Sequence, residues 1–251
     1  MFIRAVRVIA PAWALASLAC DKPQRSTIQS PPAEPIQIEQ LLFNSSSGVL
    51  KLPFSEVVQQ VSGKRILPVD QADGVTALFI DAVAVASDRA IAQMNAANSP
   101  VKQLRRINEA SRLFEDALIQ SIDSTSEFEA GTPATAAGNH QRSGYPDIRI
   151  VHVESQRVFY LDPKLYESTS ENSSLRTFYF TPKAETNKVL DDACHLLLGI
   201  AHDGNDGDWT FLRWSLVDLS KLTVRLKPEF QASNRDIYRA EATIRSGNGA
   251  D

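Results

Sequence analysis

Residues 143–167, SGYPDIRIVHVESQRVFYLDPKLYE, contain two short apolar runs separated by a polar break. The runs cover 148–153 and 157–161, and both are rich in the β-branched and aromatic residues that favour strands. Glu154-Ser155-Gln156 between them is short and polar, which predicts a tight turn. This segment therefore predicts an antiparallel hairpin, and a fold built around a sheet.

Helical patterns surround this hairpin on its amino-terminal side. Residues 54–61 and 73–97 are predicted to be helical, and residues 101–122 form the clearest amphipathic pattern. At 100° per residue, one stripe of that pattern holds Leu104, Ile107, Ser111, Phe114, Leu118 and Ile122. The remaining predictions are a loop at 123–144, strands at 175–180 and 209–219, and helices at 186–194 and 229–245.

The order of these elements predicts an α/β (α+β) fold with a mixed sheet. A chain of 251 residues can bury a sizeable core, and 43% hydrophobic residues is ordinary for a globular protein. We predict a helical amino-terminal region at 36–100 and an α/β core at 101–245. The net charge of −4 does not by itself indicate that the molecule binds a polyanion.

Three charged residues lie at the ends of the predicted hairpin. Asp147 precedes its first strand, and Asp162 and Lys164 follow its second. Side chains two apart in a strand share a face, so Asp162 and Lys164 are expected to point together. The turn returns the chain and brings Asp147 close to Asp162. Two converging carboxylates repel unless a cation lies between them, and hard oxygen ligands suit Mg²⁺.

Pro146-Asp147, fourteen intervening residues and then Asp162-Pro163-Lys164 resemble the signature of the PD-(D/E)XK nuclease superfamily. The surrounding sequence is similar to certain type II restriction endonucleases. The resemblance implies a restriction-endonuclease-like mixed central sheet flanked by helices. It also implies a Mg²⁺-dependent endonuclease that hydrolyses DNA, in which Asp147 and Asp162 hold the metal and Lys164 positions the attacking water.

In that superfamily a glutamate on the preceding helix commonly completes the metal shell. Glu115 flanks the apolar stripe beside Ser111 and Leu118, whereas Glu109 lies nearly opposite. A metal ligand must face the sheet, so Glu115 is the expected third ligand and Glu109 the reserve. Pro163 departs from the usual pattern because proline lacks an N–H, which predicts a strand edge, a bulge or a distorted site at that position.

The carboxy-terminal part of the chain is more basic than the rest. Residues 212–245 hold seven basic and four acidic residues, which permits a phosphate-facing surface. Asn234, Arg235 and Lys227 are the candidate DNA contacts. DNA is the expected partner, and the sequence leaves open whether the protein is a monomer or a homodimer.

The first twenty residues have the layout of a secretory signal peptide, with Arg4 and Arg7 before a short apolar run. Their ending resembles a lipoprotein signal that would anchor the protein to a membrane through Cys20, although Ser17 departs from that pattern and leaves ordinary cleavage open. Residues 21–35 are predicted to be a flexible linker. A working leader implies the cell envelope or periplasm; otherwise a cytoplasmic location is expected.

These amino-terminal features support an alternative function. In it the protein is an exported or lipid-anchored envelope protein whose nuclease-like fold is not catalytic and acts in binding.

Overall fold

The computed structural model describes residues 51–174, 178–226, 232–237, 239–241 and 243–245. Its main feature is a six-stranded mixed sheet with the order β2-β6-β5-β4-β3, in which β7 also pairs with β6. The strands of this sheet are β2 (Ile66–Leu67), β3 (Phe128–Gly131), β4 (Ile148–His152), β5 (Val158–Glu167), β6 (Ala193–His202) and β7 (Phe211–Asp218). A separate two-stranded sheet pairs β1 (Lys51–Pro53) with β8 (Thr223–Arg225).

The predicted hairpin is confirmed as β4 and β5. The two strands pair antiparallel from Ile148 opposite Leu161 to Val151 opposite Val158. The turn between them includes Gln156, whose φ of 57° lies in the left-handed region. Beyond Leu161, β5 continues to its end in parallel register with β6, so it is longer than the predicted strand.

Alternate residues of the central strands form a mainly apolar face of the sheet, which also includes His152 and His202 at the strand ends. Two helices, α2 (Gly74–Asn95) and α3 (Ala110–Asp123), pack on this face. Its strand residues include Ile148, Ile150, Phe159, Leu161, Cys194, Leu196, Leu198 and Ile200. The rings of Phe79 and Phe159 stack with centroids 4.1 Å apart, which ties α2 directly to β5. We call this side the helical face.

The opposite face of the sheet combines apolar and polar side chains. Helix α1 (Phe54–Ser62) covers part of it with Phe54 and Val58. Val158 and Tyr160 of β5 belong to this side, and period two along the strand places Asp162 and Lys164 there as well. We call it the polar face. Helices on both sides of a mixed sheet confirm the predicted α+β class.

Helix α2 begins at a side-chain cap that also reaches the hairpin. The carboxylate of Asp73 accepts a hydrogen bond from Thr76 N at 2.9 Å and pairs with Arg157, just before β5. These contacts lower the pKa of Asp73 to about 2, with the backbone hydrogen bond the largest cause. The register of α2 on the sheet is thus fixed at its first turn.

The predicted helix over 101–122 is wrong in its first half. Pro100–Gln103 and Ile107–Glu109 form short 3₁₀ turns, and α3 begins only at Ala110. Leu104 and Arg106 have extended backbone, which interrupts any continuous helix. Leu104 and Ile107 still pack against the core, so the apolar stripe continues across the break. The predicted loop at 123–144 also contains β3, a strand of four residues.

The helix predicted at 186–194 is wrong. After a 3₁₀ turn at Ala184–Thr186 the chain has no regular secondary structure, and it bends at Asp191, until β6 begins at Ala193. Side chains satisfy its backbone: Asn187 Oδ1 accepts from Val189 N at 3.0 Å, and Tyr160 Oη accepts from Leu190 N at 3.1 Å. One local and one tertiary hydrogen bond thus replace the helical ones.

Two further predictions near the carboxy terminus are corrected. Of the strand predicted at 175–180, residues 178–180 are not in a strand, and residues 175–177 lie outside the described part of the chain. Of the helix predicted at 229–245, the described part is helical only in α4 (Asn234–Ile237). The described residues at 239–241 and 243–245 are not helical.

The predicted leader at 1–20, Cys20 and the linker at 21–35 all lie outside the described residues. Within the described residues, no helix has both the length and the apolar character to cross a membrane. The predicted division of the chain at residue 100 stays a prediction.

Candidate active site

The site lies where β4 starts and β5 continues past it. Asp147 immediately precedes β4, whose first residue pairs with Leu161. Asp162 and Lys164 follow on β5, beyond the last β4 partner. β5 therefore has an open edge at this point, and the charged side chains of both strands can converge there.

Lys164 joins the two aspartates. Its Nζ lies 3.0 Å from Asp147 Oδ2 and 2.7 Å from Asp162 Oδ2, and it also donates to Pro163 O at 3.2 Å. The two carboxylate oxygens can be no farther apart than the sum of the first two distances, about 5.7 Å. Asp147, Asp162 and Lys164 therefore converge as predicted.

Burial governs the electrostatics of Asp162, which is only 2% exposed. Burial raises the pKa of its carboxyl, the charge of Lys164 opposes that shift, and the charge of Asp147 adds to it. Burial alone would lower the pKa of Lys164, but the charges of Asp162 and Asp147 outweigh burial and raise it. The ammonium therefore stays charged and offsets part of the cost of the buried carboxylate.

Pro163 fits this arrangement without breaking the sheet. Its position pairs with Leu198 of β6, and the β5–β6 pairing continues on both sides of it. On the β4 side, the β4–β5 pairing does not extend beyond Leu161, so the missing N–H of Pro163 removes no hydrogen bond from that ladder. The predicted strand edge is the explanation that the structure supports.

Glu115 lies close to these residues but pairs with another partner. It sits on α3, and its Oε2 accepts a hydrogen bond from Arg142 Nη1 at 3.1 Å. Burial raises the pKa of Glu115, and the charge of Asp147 adds to this shift. Glu109, the reserve candidate, is exposed on a 3₁₀ turn. Glu115 is thus close enough for the charge of Asp147 to affect its pKa, while its carboxylate forms an ion pair with Arg142.

The carboxylates of the site are candidate ligands for a metal ion. Across the described ranges, no three His, Cys, Asp or Glu side chains are grouped closely enough to hold one. Asp147 and Asp162 do converge, and buried Asp162 Oδ2 makes no directional hydrogen bond despite its short distance to the ammonium. A buried carboxylate oxygen with free lone pairs suits a hard divalent cation. The two aspartates fit such an ion, and Glu115 would have to leave Arg142 to join them.

Two basic residues near the site were not found from the sequence. Arg142 bridges Glu115 and Asp116, and Lys188 is fully buried with its Nζ 3.4 Å from the carbonyl oxygens of Gln141 and Arg142. Burial lowers the pKa of Lys188, while the charge of Asp147 acts in the opposite direction. Neither residue follows a local sequence pattern, because their partners come from distant segments.

A polar network continues from the site along the same face. Asp191 Oδ2 accepts from Arg149 Nε at 2.9 Å and from the Tyr160 hydroxyl at 2.8 Å. A concavity of about 480 Å³ lies beside this network, and Arg149, His140 and Lys188 are among its lining residues. The recess carries charges of both signs, because Glu129 and Asp191 line it as well, and none of the four proposed site residues is part of its wall.

The predicted DNA contacts lie elsewhere in the chain. Asn234 and Arg235 are exposed on α4. Lys227 lies outside the described residues.

A mixed sheet that carries an aspartate before one strand and an Asp-x-Lys triplet on the next defines a restriction-endonuclease-like protein. The family model of the type II restriction enzyme MjaV family matches residues 49–241, and the chain belongs to this family. The chain is also 29% identical over 218 residues to the type II restriction enzyme MjaV of Methanocaldococcus jannaschii, covering 83% of this chain and 94% of that protein. No solved structure matches the chain. The resemblance expected from the motif is confirmed.

Proposed function

We propose that this protein is a Mg²⁺-dependent endonuclease that hydrolyses phosphodiester bonds of DNA. The observation that carries the proposal is the position of the Lys164 ammonium, within 3.0 Å of both Asp147 and Asp162 at the open edge of β5. Membership in a type II restriction enzyme family supports DNA as the substrate. The proposed catalytic residues are these three together with Glu115.

Each residue has a physical role in this proposal. Asp147 and Asp162 would hold the cation, and Glu115 would complete the set after it separates from Arg142. Held by these carboxylates, the cation would supply positive charge to the phosphate under attack. Lys164 donates hydrogen bonds, so it can orient the attacking water and also limit the repulsion between the aspartates.

The test is cleavage of supercoiled plasmid DNA by the purified protein. We expect nicking or linearisation of the plasmid with Mg²⁺ and no cleavage with a chelator. The cleavage rate of Lys164→Ala should be at least about 100-fold below that of wild type, because the change removes a positioned charge. Lys102→Ala is the matched control, because Lys102 also pairs with an aspartate, Asp208, but is outside the proposed site. Equal cleavage by wild type and Lys164→Ala would refute the proposal and indicate a contaminating nuclease.

We also propose that Asn234, Arg235 and Lys227 contact DNA. Arg235 is exposed on α4, and a basic side chain that binds a DNA phosphate releases counterions, so its contribution to affinity falls as the salt concentration rises. Arg235→Ala should weaken DNA binding evenly across sequences and reduce the slope of log affinity against log salt by about 1. An unchanged salt slope would remove Arg235 from the interface.

The cellular location remains a separate proposal. A working leader at 1–20 would place the protein in the cell envelope, whereas an uncleaved amino terminus would leave it in the cytoplasm. Mass spectrometry of the amino terminus of the cellular protein decides between these two outcomes.

A further inference from the structure

A buried hydrogen bond lies next to the segment that leads into the site. Tyr145, two residues before Asp147, places its hydroxyl 2.6 Å from Nδ1 of His195 on β6. His195 is fully buried and Tyr145 is 8% exposed. The two rings are nearly parallel, with centroids 5.8 Å apart and an interplanar angle of 24°. This bond connects the approach to Asp147 directly to the middle of the sheet.

The ring of Tyr145 is also enclosed by other aromatic side chains. Phe54, Phe178 and Phe180 meet it edge to face at centroid distances of 5.4, 5.8 and 5.8 Å. Such contacts hold a ring in place but tolerate small shifts and rotations. A hydrogen bond at 2.6 Å is directional and does not tolerate them to the same degree. The hydroxyl therefore sets the depth and direction of the Tyr145 side chain.

His195 is the neutral partner in this bond. Burial lowers the pKa of His195 to about 3, so the imidazole is neutral and carries one N–H. Among the described residues, its Nε2 has no hydrogen-bond partner. The contact forms with either ring tautomer, because the hydroxyl can donate to an unprotonated Nδ1 or accept from a protonated one. The restraint on Tyr145 therefore comes from the contact itself and not from the position of the proton.

Asp147 is thus restrained from two directions. Its carboxylate meets Lys164 at 3.0 Å on one side, and the backbone before it is tied to β6 through Tyr145 on the other. Lys164 contacts Asp147 only through the end of a long side chain with several rotatable bonds. The second restraint comes from a rigid central strand, which is what a preorganised ligand needs.

We propose that Tyr145 and His195 are positioning residues, whose hydrogen bond fixes the backbone that carries Asp147 so that its carboxylate is ready to share a divalent cation with Asp162. This inference rests on the proposed function. It adds two residues that touch neither DNA nor cation and that act through Asp147.

The test compares Tyr145→Phe with Tyr160→Phe. Both substitutions delete one buried hydroxyl on the polar face and keep the ring. The hydroxyl of Tyr160, however, bonds Asp191 and Leu190 N, not His195. The measurements are the Mg²⁺ concentration for half-maximal DNA cleavage, the melting temperature, and amide hydrogen exchange across residues 141–148.

For Tyr145→Phe we expect the half-maximal Mg²⁺ concentration to rise about tenfold, as for other residues that orient a metal ligand. Amide exchange across 141–148 should become faster. For Tyr160→Phe we expect no change in either quantity, with faster exchange confined to residues 188–192. Both melting temperatures should fall, and that of Tyr160→Phe should fall at least as far, because its hydroxyl makes two hydrogen bonds and that of Tyr145 makes one.

A half-maximal Mg²⁺ concentration for Tyr145→Phe within twofold of wild type would overturn the proposal. An equal rise for Tyr160→Phe would also overturn it, since the effect would then be one of general packing. If the wild-type protein cleaves no DNA, the proposed function fails, and amide exchange decides the positioning role alone. In that case, unchanged exchange at 141–148 in Tyr145→Phe overturns it, and faster exchange supports it.

Discussion

The two faces of the central sheet are built from the same strands but carry different side chains. The helical face is mainly apolar, with His152 and His202 buried at its ends, and is covered by α2 and α3. The polar face buries an aspartate, a lysine and a histidine among its aromatic residues, namely Asp162, Lys188 and His195. Buried polar groups cost stability unless they are paired, so a protein keeps them mainly where they serve function. We therefore expect the helical face to contribute most of the free energy of unfolding and the polar face to hold the catalytic residues.

Asp147→Asn should produce the largest effect on the polar face. The change removes one proposed cation ligand, so DNA cleavage should fall about 100- to 1000-fold. Stability should not fall, because Lys164 keeps Asp162 as a partner and Asp162 loses a repulsive neighbour. The measurements are the single-turnover cleavage rate and the melting temperature. A large drop in melting temperature would contradict the division between the faces.

Phe159→Ala tests the helical face in the opposite way. Phe159 is fully buried against Phe79, and its truncation should cost about 3 to 5 kcal/mol of unfolding free energy. At a temperature where the variant is folded, cleavage per folded molecule should stay within about threefold of wild type. Urea denaturation and active-site titration measure the two quantities. Phe159→Leu, which retains most of the volume, is the control and should cost less than about 1.5 kcal/mol.

The buried histidine predicts how the polar face responds to acid. Burial lowers the pKa of His195 from 6.5 to about 3 in the folded protein. The unfolded chain therefore binds a proton below pH 6.5 that the folded protein does not bind. The stability that neutral His195 confers is complete above pH 6.5 and declines by about 1.4 kcal/mol per pH unit as the pH falls toward 3.

Urea denaturation at pH 7, 6 and 5 measures this decline, and His195→Gln is the matched variant because it does not titrate. The stability of the variant should fall less steeply with acid than that of wild type. Identical slopes for the two proteins would show that His195 is not the group responsible.

The smallest effect is expected on the surface, away from both buried faces. Arg213 Nη2 and Glu171 Oε2 form an exposed ion pair at 2.6 Å. Exposed pairs of this kind contribute little because water and salt screen them. Glu171→Gln should leave the melting temperature within about one degree of wild type and should not change DNA cleavage. A larger loss would show that stability is not concentrated in the helical face.

The sequence predicts the parts of this molecule that depend on neighbours along the chain. Period two places Asp162 and Lys164 on one face of β5, and the turn at Gln156 returns Asp162 to Asp147. The helical wheel favours Glu115 over Glu109, and Glu115 is the one that lies near Asp147.

The sequence does not predict contacts made by residues far apart in the chain. Lys188 lies in a segment with a helical pattern, but the segment is not helical, and Tyr160, about thirty residues earlier, accepts a hydrogen bond from its Leu190 N. Arg142 and His195 show the same limitation, since their partners Glu115 and Tyr145 are 27 and 50 residues away. No local pattern records these pairings.

The most direct test of a phosphodiesterase site on the polar face is the single-turnover cleavage rate of duplex DNA by wild type and by Asp162→Asn at saturating Mg²⁺. Asparagine has the same shape as aspartate but no charge, so it removes the buried ligand while changing the packing little. We predict cleavage by wild type and a rate at least about 100-fold lower for Asp162→Asn, with DNA affinity preserved. Cleavage by Asp162→Asn within about threefold of wild type would contradict the account.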